Sequence, residues 1–116
     1  MLVTALLVLN LGVPQATAAV RPAASSYAET LRCSGLTQAA SELEGGESGE
    51  GRALYDAALY WSLTTIQAGQ TANRPAATVE AEMTRARVQA VRELTARNEA
   101  ALAALSACRT RTPSLG

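Results

Sequence analysis

The chain contains no histidine, no lysine and no phenylalanine, and only 3% of its residues are aromatic. Without histidine, Ser-His-Asp and Cys-His catalytic sets are excluded, as are the His-containing zinc sites. Charge of either sign is scarce in excess: ten Arg balance ten acidic residues, for a formal net charge of zero. A dedicated nucleic-acid binder needs a clear basic surplus to neutralise phosphates, so none is expected. Charged residues make up 17% of the chain and hydrophobic ones 48%, which is not the composition of a disordered tail. At 116 residues the chain supports one small domain.

What is present is alanine, at 25 positions, a residue that favours helix more than any other. Arginine without lysine in an alanine-rich chain matches the codon bias of a GC-rich genome, which points to a bacterial source. Leu2 to Leu11 form a short apolar run, broken by Gly12 and Pro14 and followed by Ala16-Thr17-Ala18. Small residues at the −3 and −1 subsites are what signal peptidase requires, so residues 1–18 read as an export signal cleaved after Ala18, or after Ala19. No Arg precedes the run; the first positive side chain is Arg21. An uncleaved N-terminal membrane anchor is the alternative, and a buried helix the third reading. The run has about half of the ~20 apolar residues that a membrane span needs. Cys33 follows Thr30-Leu31-Arg32 and therefore lacks the small preceding residue of a lipoprotein site.

Three or four helices are expected within a single helical domain, residues 19–110, before a disordered tail at 111–116. The first runs from a cap at Ser25 or Ser26, with Glu29 completing a capping box, to about Leu43. Its apolar residues divide between Tyr27 and Leu31 on one side and Cys33, Leu36, Ala40 and Leu43 on nearly the opposite one, so it either bends near Gly35 or is buried on two faces. The stretch from Glu44 to Gly51, EGGESGEG, reads as a solvated connection with Gly45 ending the helix. Its carboxylates lack the alternating spacing of a calcium loop, and no metal site is expected.

The second helix, about Arg52 to Ala68, is apolar around most of its circumference, so it is either central or covered by a partner. The Gly69 to Pro75 loop follows, and Pro75 suits the start of a third helix. From Ala76 to Cys108 one stripe is apolar: Val79, Met83, Ala86, Ala90, Leu94, Ala101, Leu105 and Cys108. Asn98 offers the one position where this segment could break and start a fourth helix. Glu82 with Arg85, and Glu93 with Arg97, have the spacing of surface pairs.

Two cysteines in an exported chain most simply form one disulfide, Cys33–Cys108. An up-down-up bundle with an unbroken third helix would hold them far apart. Two arrangements bring them together: a third helix that breaks near Asn98 and returns, or the first two helices laid end to end along one long third helix. The expected fold is therefore all-α, a small antiparallel bundle or long helical hairpin clamped by the bridge.

The most distinctive cluster is Tyr55, Asp56, Tyr60 and Trp61. Tyr and Trp combine large apolar area with a polar tip, which suits an interface as well as a core. Tyr55, Tyr60 and Trp61 are thus candidates for an interaction surface. The charge balance is +2 after Pro75 and −2 before it, so the two parts are expected to complement each other within one fold or across a dimer. The function expected is a non-enzymatic interaction or structural role in the periplasm or outside the cell, with a second copy or another periplasmic protein as partner. A small-ligand carrier, with a pocket lined by Tyr55, Trp61 and Met83, is the alternative. Asp56 or a Glu acting with Tyr60 would be the only acid–base option, and isolated carboxylates are poor support for an enzyme. No cofactor and no stable membrane insertion after signal cleavage are expected.

Overall fold

Four helices in sequence account for the computed structural model, which describes residues 25–114: α1 (Tyr27–Glu44), α2 (Gly49–Thr71), α3 (Ala76–Thr95) and α4 (Glu99–Thr110). The expected export segment lies outside the described residues. Among those described, no helix is long and apolar enough to cross a membrane.

Each helix boundary has a local cause. Ser26 accepts the Glu29 N–H while the Glu29 carboxylate accepts the Ser26 N–H, the expected capping box at the start of α1. Gly45 ends α1 at φ 85°. The glycine-rich run that follows is shorter as a loop than its composition suggests, because Ser48 already caps α2 by accepting the Gly51 N–H at 2.9 Å. A Cβ on Gly51 would lie 1.7 Å from the Gly45 carbonyl oxygen, so glycine is present for a close backbone approach at the α1–α2 corner rather than for freedom. Helix α2 consequently starts three residues before the expected Arg52 and ends three after Ala68.

The break near Asn98 is real, and this excludes the arrangement with one long third helix. At both ends of α3's span the chain turns by the same device. Arg74 N–H bonds Gly69 C=O and Asn73 N–H bonds Gln70 C=O, with Asn73 at φ 58°. Asn98 N–H bonds Glu93 C=O and Arg97 N–H bonds Leu94 C=O, with Arg97 at φ 58°. These are Schellman terminations built without glycine. Asn98 then caps α4 at once by accepting the Ala101 N–H at 2.8 Å. Pro75 is the cap of α3 rather than its first helical residue, and its carbonyl accepts the Val79 N–H.

Helix α1, not α2, is central: it packs against all three other helices. It is unbroken through Gly35 and buried around much of its girth, with Thr30, Cys33, Ser34, Gly35, Leu36, Thr37, Ala39 and Ala40 all buried. Leu43, expected on the buried side, is exposed. The reason is size. A Cβ on Gly35 would sit 2.6 Å from the Ala86 carbonyl oxygen, so α3 crosses α1 at backbone contact. Hydroxyls buried in this narrow space bond back to their own helix: Thr30 to Tyr27 C=O, Thr37 to Cys33 C=O, Thr65 to Trp61 C=O. The apolar core lies to one side of α1, where Leu36 and Ala40 meet Leu54 and Trp61 of α2, Ala90 and Leu94 of α3, and Ala101 of α4.

Cys33 and Cys108 are joined there, with Cα atoms 5.5 Å apart. The stripe expected from Val79 to Cys108 is the inward face of α3 and α4, with Val79, Ala90, Leu94, Ala101 and Cys108 fully buried. The fold extends past the boundary expected at 110. Trp61 donates its indole N–H to Thr112 Oγ1 at 2.8 Å, and Thr112 Oγ1 donates in turn to Cys108 C=O, so residues 111 and 112 belong to the domain and not to a tail.

Two substitutions test this packing. Replacing both cysteines with alanine is expected to lower unfolding stability by about 2–5 kcal/mol while leaving the helical circular dichroism spectrum in place. Gly35→Ala is expected to cost about 1–3 kcal/mol, since the backbone of Ala86 cannot move aside as a side-chain end could. Urea denaturation of each variant measures both.

Candidate interaction surface

Helix α2 carries two apolar arcs. One, with Leu54, Ala57, Ala58, Trp61 and Thr65, is buried. The other faces solvent: Tyr55, Leu59, Leu63 and Ile66 are 57%, 45%, 60% and 41% exposed. Their spacing of four, four and three residues places them on one stripe of the helix. After Arg52 the helix has a single charged residue, Asp56, which is exposed and in none of the ion pairs among the described residues.

The aromatic cluster singled out in the sequence is therefore divided. Tyr55 belongs to the exposed stripe. Trp61 is 1% exposed and is core, fixed by its bond to Thr112 and by the Arg111 guanidinium 5.3 Å from its ring centre. Tyr60 is half-buried and meets Trp61 edge to face, with ring centres 5.0 Å apart. Leu59, Leu63 and Ile66, not singled out in the sequence, complete the surface. The signal for them was there, because an apolar circumference on a helix with only one buried arc must leave the other arc uncovered.

Beside this stripe runs a groove between α2 and α3, floored by α1. A cavity of about 380 Å³ is lined by Gln38, Ile66, Gln70, Val79, Met83 and Arg87, among others. Along the same groove a further hollow is lined by Tyr55, Leu59, Ser62 and Glu42, and shares Gln38 and Arg87. The floor is a polar seam: Ser62 Oγ lies 3.2 Å from Ser34 Oγ and accepts the Gln38 side-chain N–H at 3.0 Å. Met83 and Tyr55 thus line neighbouring parts of the groove, but Trp61 lines neither, and the three do not share one pocket.

Charge is absent from the stripe itself, and the nearest ion pair, Arg87–Glu42, borders the hollow beside Tyr55 and Leu59. Among the described residues four ion pairs join separate parts of the fold: Arg32–Glu93 at 2.7 Å, Arg87–Glu42 at 3.2 Å, Arg74–Glu82 at 3.8 Å, and Arg109–Glu50. Each joins a residue before Pro75 to one after it, so the two oppositely charged parts of the sequence do meet within the fold. Glu82 pairs with Arg74 of the α2–α3 turn and Glu93 with Arg32 of α1, not with Arg85 and Arg97 as their spacing suggested, because the fold brings Arg74 and Arg32 to them.

Tyr27 donates its hydroxyl to Glu82 at 2.7 Å with the Arg74 guanidinium 4.2 Å from its ring centre. Burial, then the hydrogen bond to the Glu82 carboxylate, push the Tyr27 pKa up to about 12. Hydrogen bonds from Arg109 hold Glu50 below the usual carboxylate value, and bonds from Arg32 and then Gln89 do the same for Glu93. Among the described residues no three Cys, Asp or Glu side chains converge as a metal-binding set.

A depressed carboxylate pKa contributes stability above its unfolded value and loses it as pH falls through the folded one. Glu93→Gln is accordingly expected to destabilise the protein at pH 7 by at most about 1 kcal/mol, given its part-exposed pair, and by less as pH falls below the ordinary value of 4.5 and through the lower folded one. Thermal denaturation of both proteins at pH 7 and pH 3 gives the comparison. Searches of protein-family models, curated proteins and solved structures find no match to this chain.

Proposed function

We propose that this protein is a non-enzymatic interaction module, exported to an oxidising compartment, that docks through the outer face of α2. The observation that carries the proposal is the uncharged stripe of Tyr55, Leu59, Leu63 and Ile66 on a helix whose opposite arc is already buried. A helix apolar on both arcs has one more contact to make than its own domain supplies. Export is supported by the apolar run and Ala16-Thr17-Ala18, and by a disulfide of the kind that persists outside reducing compartments. A catalytic role finds little support, since four of the carboxylates are each tied to an arginine on another element.

A second reading, a carrier of small apolar ligands, has one observation in its favour. The α2–α3 cavity is about 380 Å³, within the range of small-molecule pockets, with Ile66, Val79 and Met83 as its apolar lining. It ranks below the first because the groove is open along its length.

A photoreactive residue in place of Leu63, in the full chain expressed in its own host, tests the first reading. Irradiation is expected to give an adduct of defined mass that is lost when the same residue replaces buried Trp61 or exposed Glu47 instead. Failure to give any adduct from Leu63 would overturn docking through this face. The intact mass of the unreacted chain reports, in the same sample, whether cleavage has occurred after Ala18 or Ala19.

A further inference from the structure

Resting on that reading, we infer that the partner covering the α2 face is a second copy of this chain, packed α2 against α2 in antiparallel sense about a two-fold axis level with Trp61. The argument is the symmetry of the exposed residues. In such a pair, a residue faces the partner's residue at the mirror position along the helix and at the same azimuth around it. Two conditions must then hold together: the residue numbers of facing partners sum to within one of a common value, and their separation is near a whole number of turns, at 3.6 residues each.

The outer face of α2 meets both. Arg52 and Gln70 have a sum of 122 and lie five whole turns apart. Tyr55 and Ile66 have a sum of 121 and Asp56 and Gln67 a sum of 123, each pair about three turns apart. Leu59 and Leu63, with a sum of 122, are one turn apart at the centre.

The chemistry of the facing residues agrees with the geometry. Tyr55 meets Ile66 and Leu59 meets Leu63, so each apolar side chain on the stripe has an apolar partner. Arg52 and Asp56 each face a glutamine amide, which can accept from one and donate to the other. No like charges face each other, as a two-fold contact centred on a charged residue would require. A foreign partner imposes none of this symmetry, whereas a copy of the same face demands all of it. A standard stable interface engages about 20–30 residues a side, and this face offers far fewer, so the dimer is weak, with a dissociation constant on the order of 10 µM.

Sedimentation velocity of the oxidised full chain between about 1 and 200 µM is expected to show a reversible monomer–dimer equilibrium. Leu59→Glu with Leu63→Glu should weaken it at least roughly tenfold, with an unchanged helical spectrum, because both positions are exposed and carry no part of the core. Gln70→Glu, which sets a carboxylate against the partner's Arg52, should tighten it by roughly two- to fivefold at low salt and not at high salt. A spin label at Arg52→Cys, attached with the native bridge intact, should report its twin at about 27 Å along the axis for the antiparallel pair, against about 10 Å for a parallel one.

A dimer that survives both glutamates, or a short distance between labels at position 52, would overturn the pairing. A chain that is monomeric throughout overturns it too. In that event a Leu63 adduct with a different protein would leave the interaction module standing without self-association, and the absence of any adduct would remove both.

Discussion

The carbonyl of Ala86 in α3 occupies the space beside Gly35 that a side chain would fill, and the rest of the packing follows from that approach. Two helices touching at backbone distance leave room only for small side chains around the crossing. Ser34, Thr30, Thr37 and Ala39 supply them, and the hydroxyls satisfy themselves on their own helix carbonyls or on Ser62. Because α1 is thin, three helices can surround it, and Leu36, its one large side chain in the core, lies where α4 closes that core. A bulkier α1 would push α3 outward and open the seam between Cys33 and Cys108.

Much of this was legible in the sequence where one local cause dominated. Ser26 with Glu29, Gly45, and Asn98 each announce a helix end through chemistry confined to a few residues, and each does what its side chain implies. The inward stripe from Val79 to Cys108 was also legible, since helical periodicity survives the break at 96–98. What was not legible arises from contacts between elements. Arg97 takes a left-handed conformation that sequence assigns to glycine, so the exact turn is hidden. Gly51 looks like a linker residue and is a packing residue. The identity of the central helix was hidden for the same reason: burial of α1 is by small and polar residues that hydrophobicity does not reveal, while the conspicuous apolar α2 is central in appearance only.

The candidate surface shows the same division. Tyr55 and Trp61 are equally conspicuous as aromatic residues, and nothing in their local sequence says that the first faces water while the second bonds Thr112 across the fold. Only the position of α1 separates them. Once that is fixed, charge segregation does the rest. The arginines and carboxylates of the two halves engage one another across Pro75 at the flanks of the molecule. Within α2 only Glu50, near its N-terminal end, takes part in these pairs, and the stripe from Tyr55 to Ile66 is left apolar, with no ion pair of its own among the described residues.

The Cys33–Cys108 bridge also determines how the chain responds to being cut. It closes a ring with a sequence separation of 75 that contains every interhelical turn, including the glycine-rich corner at Gly45–Ser48, where α1 and α2 meet and exposed side chains are concentrated. A single hydrolysis anywhere in that ring yields two peptides still held as one covalent molecule, each keeping its place on α1 through the sulfurs and the surrounding contacts. A form nicked at a turn outside α2 keeps its α2 face. Proteolytic damage to the backbone and loss of the surface are thus separate events in this fold, and it takes a second cut, or reduction, to turn one into the other.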